Sequence, residues 1–189
     1  MHIWDLKGFY DTIKNMKTLF NIDLKDYNPD GKKFYRPSVR GIIFDDNNNI
    51  ALIYSKKYHY YKFPGGGMEE GETQLETLAR EIKEETGMTL IPGSAKEFGE
   101  VVRTQKYSTE EADNTIFVQQ NFYYTCEVEK EIGEQNLDDS EKEAEFVLTF
   151  VPIDKAIKAN ASFKTDKGPV KEQMVEREKR VLEIIKDTL

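Results

Sequence analysis

The 189-residue chain has a single cysteine, Cys126, so no intrachain disulfide and no multi-cysteine zinc site can form, and dithiol redox chemistry is excluded. Long apolar runs are missing as well. The longest, such as Gly41 to Phe44 and Phe146 to Leu148, fall far short of the ~20 residues that span a bilayer. The N-terminus sets Asp5 and Lys7 among its apolar residues, unlike a secretory signal, and the expected location is the cytoplasm. Positive charge is scarce where the chain is longest. Residues 1–62 hold 11 Lys+Arg against 7 Asp+Glu, whereas the remainder is strongly acidic and brings the net charge to −8. Such a body lacks the cationic surface that displaces counterions from a nucleic-acid backbone, so nucleic acid is not the expected partner. If a phosphate compound is the substrate, a metal must bridge the two negative charges.

The 38% hydrophobic content is enough for one compact core. Leu6, Phe9, Tyr10, Ile13, Met16 and Phe20 recur at helical spacing and predict an amphipathic helix that packs on the domain or on a second subunit, giving a homodimer. A strand over Val39 to Phe44 is expected to pair with Ile50 to Tyr54 as a hairpin across Asp45 to Asn49. Phe98 to Arg103 reads as a strand. Ile116, Val118, Phe122, Tyr124, Cys126 and Val128 share one face of the next, which makes Cys126 an inert core thiol. Nine carboxylates between Glu127 and Glu145 suggest a loop. Phe146 to Val151 reads as a strand, Ile153 to Ala159 as a short helix, and Gly168 to Leu189 as a charged helix anchored by Val181, Leu182 and Ile185.

The informative stretch begins at Gly65-Gly66-Gly67 and continues into a helix from about Thr73 to Thr86, stopped by Gly87. At about 100° of rotation per residue, Glu81, Glu84 and Glu85 converge within one arc. Leu75, Leu78, Ala79 and Ile82 occupy another, so one face can be buried while the carboxylates line a cleft. Crowded carboxylates repel unless a cation fills the space, and hard oxygen donors suit Mg²⁺, with Mn²⁺ as a substitute. A glutamate-rich helix taken alone reads more simply as a solvated face laced with ion pairs.

The complete spacing decides between these readings. Gly66, five residues, Glu72, seven residues, Arg80-Glu81-Ile82, one residue, Glu84-Glu85, one residue, Gly87 and Met88 reproduce the Nudix box position for position. Nine such constraints coincide by chance at one start point with a probability on the order of 10⁻⁹ before glutamate enrichment is considered. The sequence thus resembles the Nudix hydrolases, or MutT-type pyrophosphohydrolases. Phe63-Pro64-Gly65-Gly66 and Phe150-Val151-Pro152-Ile153-Asp154 are similar to the family's flanking segments.

The resemblance implies an α+β fold, an α/β/α sandwich with a mixed sheet. A Nudix domain would cover residues 36–160, with an N-terminal helical extension over 1–35 and a C-terminal helix over 161–189 packed on it. It implies metal-dependent hydrolysis of a nucleoside diphosphate linked to another moiety. Glu81, Glu84, Glu85 and the Gly65 carbonyl would hold the cation, Arg80 would orient carboxylates, and Gly66, Glu72 and Gly87 would shape the box. Glu81 serves as base in some members, while others draw one from a distant loop, for which Glu143 and Glu145 are the candidates. Tyr58, Tyr60, Tyr61 and Tyr107 are available to stack on a nucleobase or simply to pack. The expected substrate is a small nucleotide, by default a nucleoside triphosphate, oxidised or unmodified. ADP-ribose, nucleotide-sugar and dinucleoside polyphosphate substrates, RNA 5′ ends and a non-catalytic regulator stay open.

Overall fold

A computed structural model describes residues 16–107, 114–164 and 172–188. Among the described residues, seven strands and four helices follow in order: β1 (Thr18–Asp23), β2 (Lys32–Ile42), β3 (Ile50–Ser55), β4 (Tyr60–Lys62), α1 (Gln74–Thr86), β5 (Lys96–Lys106), β6 (Thr115–Thr125), α2 (Asp139–Glu143), β7 (Phe146–Val151), α3 (Ile153–Ala161) and α4 (Glu172–Thr188). The fold is α+β. One mixed sheet has the order β1-β5-β6-β2, with β1 parallel to β5, β5 antiparallel to β6, and β6 parallel to β2. The other, β4-β3-β7, is antiparallel.

Helix α1 covers one side of the mixed sheet. Leu78 and Ile82 pack there on Val39, Ile43, Phe122 and Cys126, each fully buried aliphatic contributing about 1.5–3 kcal/mol. On the other side β3, β4, α3 and α4 close over Ile42, Val101 and Tyr123, with Val181, Leu182 and Ile185 of α4 as anchors. Cys126 is buried as expected, and burial pushes its thiol up to about 12.

Several sequence expectations need correction. The helical reading through Phe20 fails at its end, because Thr18–Asp23 is an edge strand pairing with β5; Leu6 to Asn15 lies outside the described residues. A boundary at residue 36 therefore cuts through β2, whose first residues, Lys32 to Tyr35, already pair with β6. The expected hairpin is a crossover between sheets. Asp45 binds the Asn47 and Asn49 N–H groups and turns the chain, but β2 pairs with β6 and only Phe44 and Ile50 bridge before β3 joins β7. Leu75 is half exposed, and Thr77 takes the buried position beside Leu78. Strand β6 is buried on both faces: Phe117, Gln119, Asn121 and Tyr123 point opposite to Ile116, Val118 and Phe122, so alternation revealed only half of its role. The acidic loop contains α2, nucleated by a reciprocal cap between Asp138 and Glu141.

Candidate active site

Local rules set α1 in place. Thr73 caps its N-terminus: the Glu76 N–H donates to Thr73 Oγ1 (3.3 Å), while the Thr73 N–H donates to the Glu76 carboxylate (2.8 Å). Gly87 ends it in the left-handed conformation (φ 73°), where a Cβ would also lie 2.1 Å from the Gly133 carbonyl oxygen. Between these ends, Glu81, Glu84 and Glu85 face a polar cleft of about 810 Å³, across from Gly65, Gly66 and Gly67.

Arg80 organises the near side. Its Nε and Nη2 donate to the two oxygens of Glu72 (2.6 and 2.9 Å), and its Nη1 donates to Glu81 (2.8 Å) and Glu84 (3.2 Å). The guanidinium holds the Glu72 carboxyl down at about 2, and the Thr77 hydroxyl and the Glu69 N–H also donate to Glu72, tying the loop to the helix. Burial raises the Glu81 carboxyl above its usual range, against the opposing pull of Arg80.

Glu85 is 1% exposed. It accepts from Lys62 Nζ (2.5 Å) and from the Gly65 N–H (2.8 Å). Pro64 and Gly66 give their carbonyls to the N–H groups of Gly41 and Val39, which leaves the Gly65 carbonyl outside that pairing. Gly65 itself has φ 136°, and a Cβ there would sit 2.1 Å from the Val39 carbonyl oxygen.

Opposite the helix, α2 brings a further carboxylate into the cleft that the sequence reading missed. Glu141, at the third position of α2, lines the cavity with Glu85; burial first, then the neighbouring Glu85 carboxylate, pushes its carboxyl up to about 7. The expected distal bases lie elsewhere. Glu143 is an exposed partner of Lys57 (2.8 Å), and Glu145 is exposed at the turn into β7; neither lines the carboxylate cleft. The reason is helical phase, since α2 points Glu141 into this cleft and carries Glu143 round to Lys57 and the rim of the neighbouring cavity. The Asp138-x-x-Glu141 capping pattern was the signal available in the sequence.

Among the described residues, no three carboxylate, histidine or cysteine side chains already converge as a metal cage. Lys62 and Arg80 supply the positive charge instead. The donor set nonetheless fits a hard divalent cation. Glu85 and Glu141 lie in one cleft with Glu81 and Glu84, and a cation that binds through one or two carboxylates plus phosphate and water needs no complete protein cage.

Gly66 fits against this set with no room to spare: a Cβ would lie 2.3 Å from Glu81 Oε1. Gly66→Ala is therefore expected to displace the Glu81 carboxylate and cut turnover at least tenfold while moving the melting temperature by only a few degrees. Steady-state rates and a thermal melt on the same preparation check both.

A mixed sheet bearing a buried carboxylate helix, approached by a glycine turn across a polar cleft, defines a class of α+β hydrolase. The NUDIX domain model matches residues 34–174, well over half of the sequence, and the chain belongs to the Nudix hydrolase family. An RNA pyrophosphohydrolase of Psychromonas ingrahamii is 45% identical over 56 residues, 29% of this chain, and the match spans about 30% of that relative's length. Similar solved structures include a NUDIX hydrolase from Nitrosomonas europaea (17% identity, 70% of this chain and 82% of that chain, TM-score 0.49). Another is the MutT protein from Bacillus halodurans (22% identity, 78% of this chain and 82% of that chain, TM-score 0.42). Nudix hydrolases generally use divalent metals and act on small nucleotides, and among the described residues no helix is long and apolar enough to cross a membrane.

Proposed function

We propose that this chain hydrolyses the diphosphate linkage of a nucleoside diphosphate attached to another moiety, by default a nucleoside triphosphate, oxidised or unmodified, with Mg²⁺ or Mn²⁺ as cofactor. The observation that carries the reading is the gathering of Glu81, Glu84, Glu85 and Glu141 around one cleft. Glu81, Glu84, Glu85 and the Gly65 carbonyl would hold the cation, with Glu141 beside them. When bound, it neutralises the diphosphate and polarises a water for attack at phosphorus.

The chain's own groups do the rest. Glu141, with its carboxyl near 7, and Glu81, also raised, are suited to take the proton that the attacking water releases as the P–O–P bond breaks and two phosphate products form. Arg80 fixes the orientation of Glu81 and Glu84. Arg36, beside Gly67 at the cleft, is placed to hold a phosphate oxygen.

A panel of nucleotide diphosphate derivatives incubated with Mg²⁺, with products identified by mass, tests this. Activity should appear on at least one member and vanish in excess EDTA, because without a cation the acidic cleft repels a polyphosphate. Full turnover in EDTA overturns the metal assignment. The name of the Psychromonas relative supports a second reading, removal of a diphosphate from an RNA 5′ end. The basic residues the sequence offers for it are dispersed: Arg36 reaches the cleft, whereas Lys57 pairs with Glu143. Competition by 5′-triphosphorylated RNA separates the two substrates.

A further inference from the structure

Beside the carboxylate cleft lies a second cavity of about 450 Å³, and Arg40 and Gln119 line both. Its construction departs from an ordinary core. Strand alternation turns Arg40 of β2 and Arg103 and Gln105 of β5 toward it, each with less than a tenth of its surface exposed. Arg103 Nη2 donates to Gln119 Oε1 (2.9 Å), and its guanidinium lies over the Phe117 ring (5.6 Å). Yet Arg40 Nε and Nη1, Arg103 Nε and Gln105 Oε1 are buried with no hydrogen-bond partner among the described residues. Leaving a buried polar group unpaired is costly, more so when it is charged, so a fold that keeps three such side chains in one cavity is built to give them a partner.

The unpaired groups define that partner's chemistry. Two guanidinium groups ask for acceptors and one amide oxygen asks for a donor. The walls are aromatic, Tyr107 stacking on Phe117 at 5.7 Å with the rings nearly parallel, and Tyr60 closing another side. A nucleotide's bridging and terminal phosphates, largely ionised at neutral pH, offer Gln105 little donor capacity and gain nothing from the aromatic walls. A planar heterocycle with a carbonyl beside a ring nitrogen acceptor, and N–H donors on another edge, satisfies all three. Guanine has this pattern, since its O6 and N7 together suit a guanidinium, whereas adenine presents an N6 amino donor in place of the carbonyl.

We propose that this cavity holds the base of the substrate and selects guanine-type bases, with Arg40 and Arg103 donating to the carbonyl and ring nitrogen and Gln105 accepting from the base N–H. The assignment rests on the nucleotide reading above and extends it to the base. It also explains the position of Arg40, which stands at the junction between base cavity and diphosphate cleft. Burial and the neighbouring Arg177 and Arg40 charges lower the Arg103 pKa to about 10.

Calorimetric titration in excess EDTA, with nucleosides so that the acidic cleft plays no part, tests the selection. Guanosine should bind at least tenfold tighter than adenosine, and inorganic phosphate should not displace it. In Arg103→Gln the ratio should fall to about one. Gln105→Leu, which removes no charge and offers a fallback if the first variant folds poorly, should weaken guanosine severalfold and leave adenosine within twofold. Undetectable guanosine binding, equal binding of the two nucleosides, displacement by phosphate, or a preference that survives in both variants overturns the proposal. The two readings fail separately: hydrolysis across the nucleotide panel with no base preference sinks the cavity assignment alone, and a guanosine preference with no hydrolysis sinks the enzymatic one alone.

Discussion

Glu85→Gln should reduce Mg²⁺-dependent turnover by at least a hundredfold, the scale on which a catalytic electrostatic group is lost. The swap keeps size and helix geometry and removes one charge from the set proposed to attract the cation. Its effect on stability separates two descriptions of the same helix. From the helix alone, relieving repulsion among Glu81, Glu84 and Glu85 would leave the metal-free protein as stable as before or slightly more so. The surroundings alter that expectation, because Glu85 accepts from Lys62 and Gly65 while Arg80 already offsets Glu81 and Glu84. A glutamine retains only one acceptor, so one of those bonds is lost. Its amide can donate to Glu141, which then ionises more readily and takes over the Lys62 charge. The expected cost is therefore about 1–2 kcal/mol, a lost hydrogen bond rather than a severed ion pair. Melting in EDTA beside turnover in Mg²⁺ measures both. A variant that melts several degrees lower and turns over normally would make this helix a structural ion-pair face and defeat the catalytic assignment.

What could be read in advance follows from the range of each physical signal. The cap at Thr73, the stop at Gly87 and the convergence of three glutamates depend on neighbours within a helical turn or two, and all are visible as spacing. Strand β7 and helix α3 were legible for the same reason, with Pro152 marking the junction between them. Strand partners were not. The parallel pairing of Lys32–Ile42 with Thr115–Thr125 joins segments about eighty residues apart, and neither carries a mark of its partner. The helical spacing of Leu6 to Phe20 overlaps only the start of Thr18–Asp23, where pairing with β5 decides the outcome. The second cavity was hidden in another way. Arg40, Arg103 and Gln105 look like solvent-facing residues in strand alternation, and only the closure of α4 and the second sheet turns that face inward. Glu141 sits in an acidic stretch that reads as a loop, because the five-residue α2 is too short to show a helical period.

The largest loss of stability is expected from Glu178→Ala, at about 3–5 kcal/mol. In the sequence α4 is a charged helix with three apolar anchors, and its Arg177-Glu178 pair looks like any other exposed pair of charges. In the fold both are almost completely buried. Glu178 accepts from Arg177 Nε (3.1 Å) and Nη2, and its other oxygen accepts from the Phe63 N–H (3.2 Å), one residue before the glycine turn begins at Pro64. Arg177 Nη1 donates in turn to Asn121 Oδ1 (2.8 Å) on β6. Removing the carboxylate strands a buried guanidinium and orphans the Phe63 N–H, so the penalty exceeds what an exposed pair would show. Because Phe63 leads into the segment facing Glu81 and Glu85, the loss should reach the cleft as well, lowering turnover at temperatures where the variant is still folded. A compensating replacement sharpens the test. Arg177→Met combined with Glu178→Gln removes both charges and retains an acceptor for Phe63, and should recover most of the stability that Glu178→Ala loses. Denaturant unfolding of the three proteins measures this. If Glu178→Ala unfolds within about 0.5 kcal/mol of the parent, the scale of a neutral surface substitution, then α4 is an appended helix and not part of the frame that holds the glycine turn.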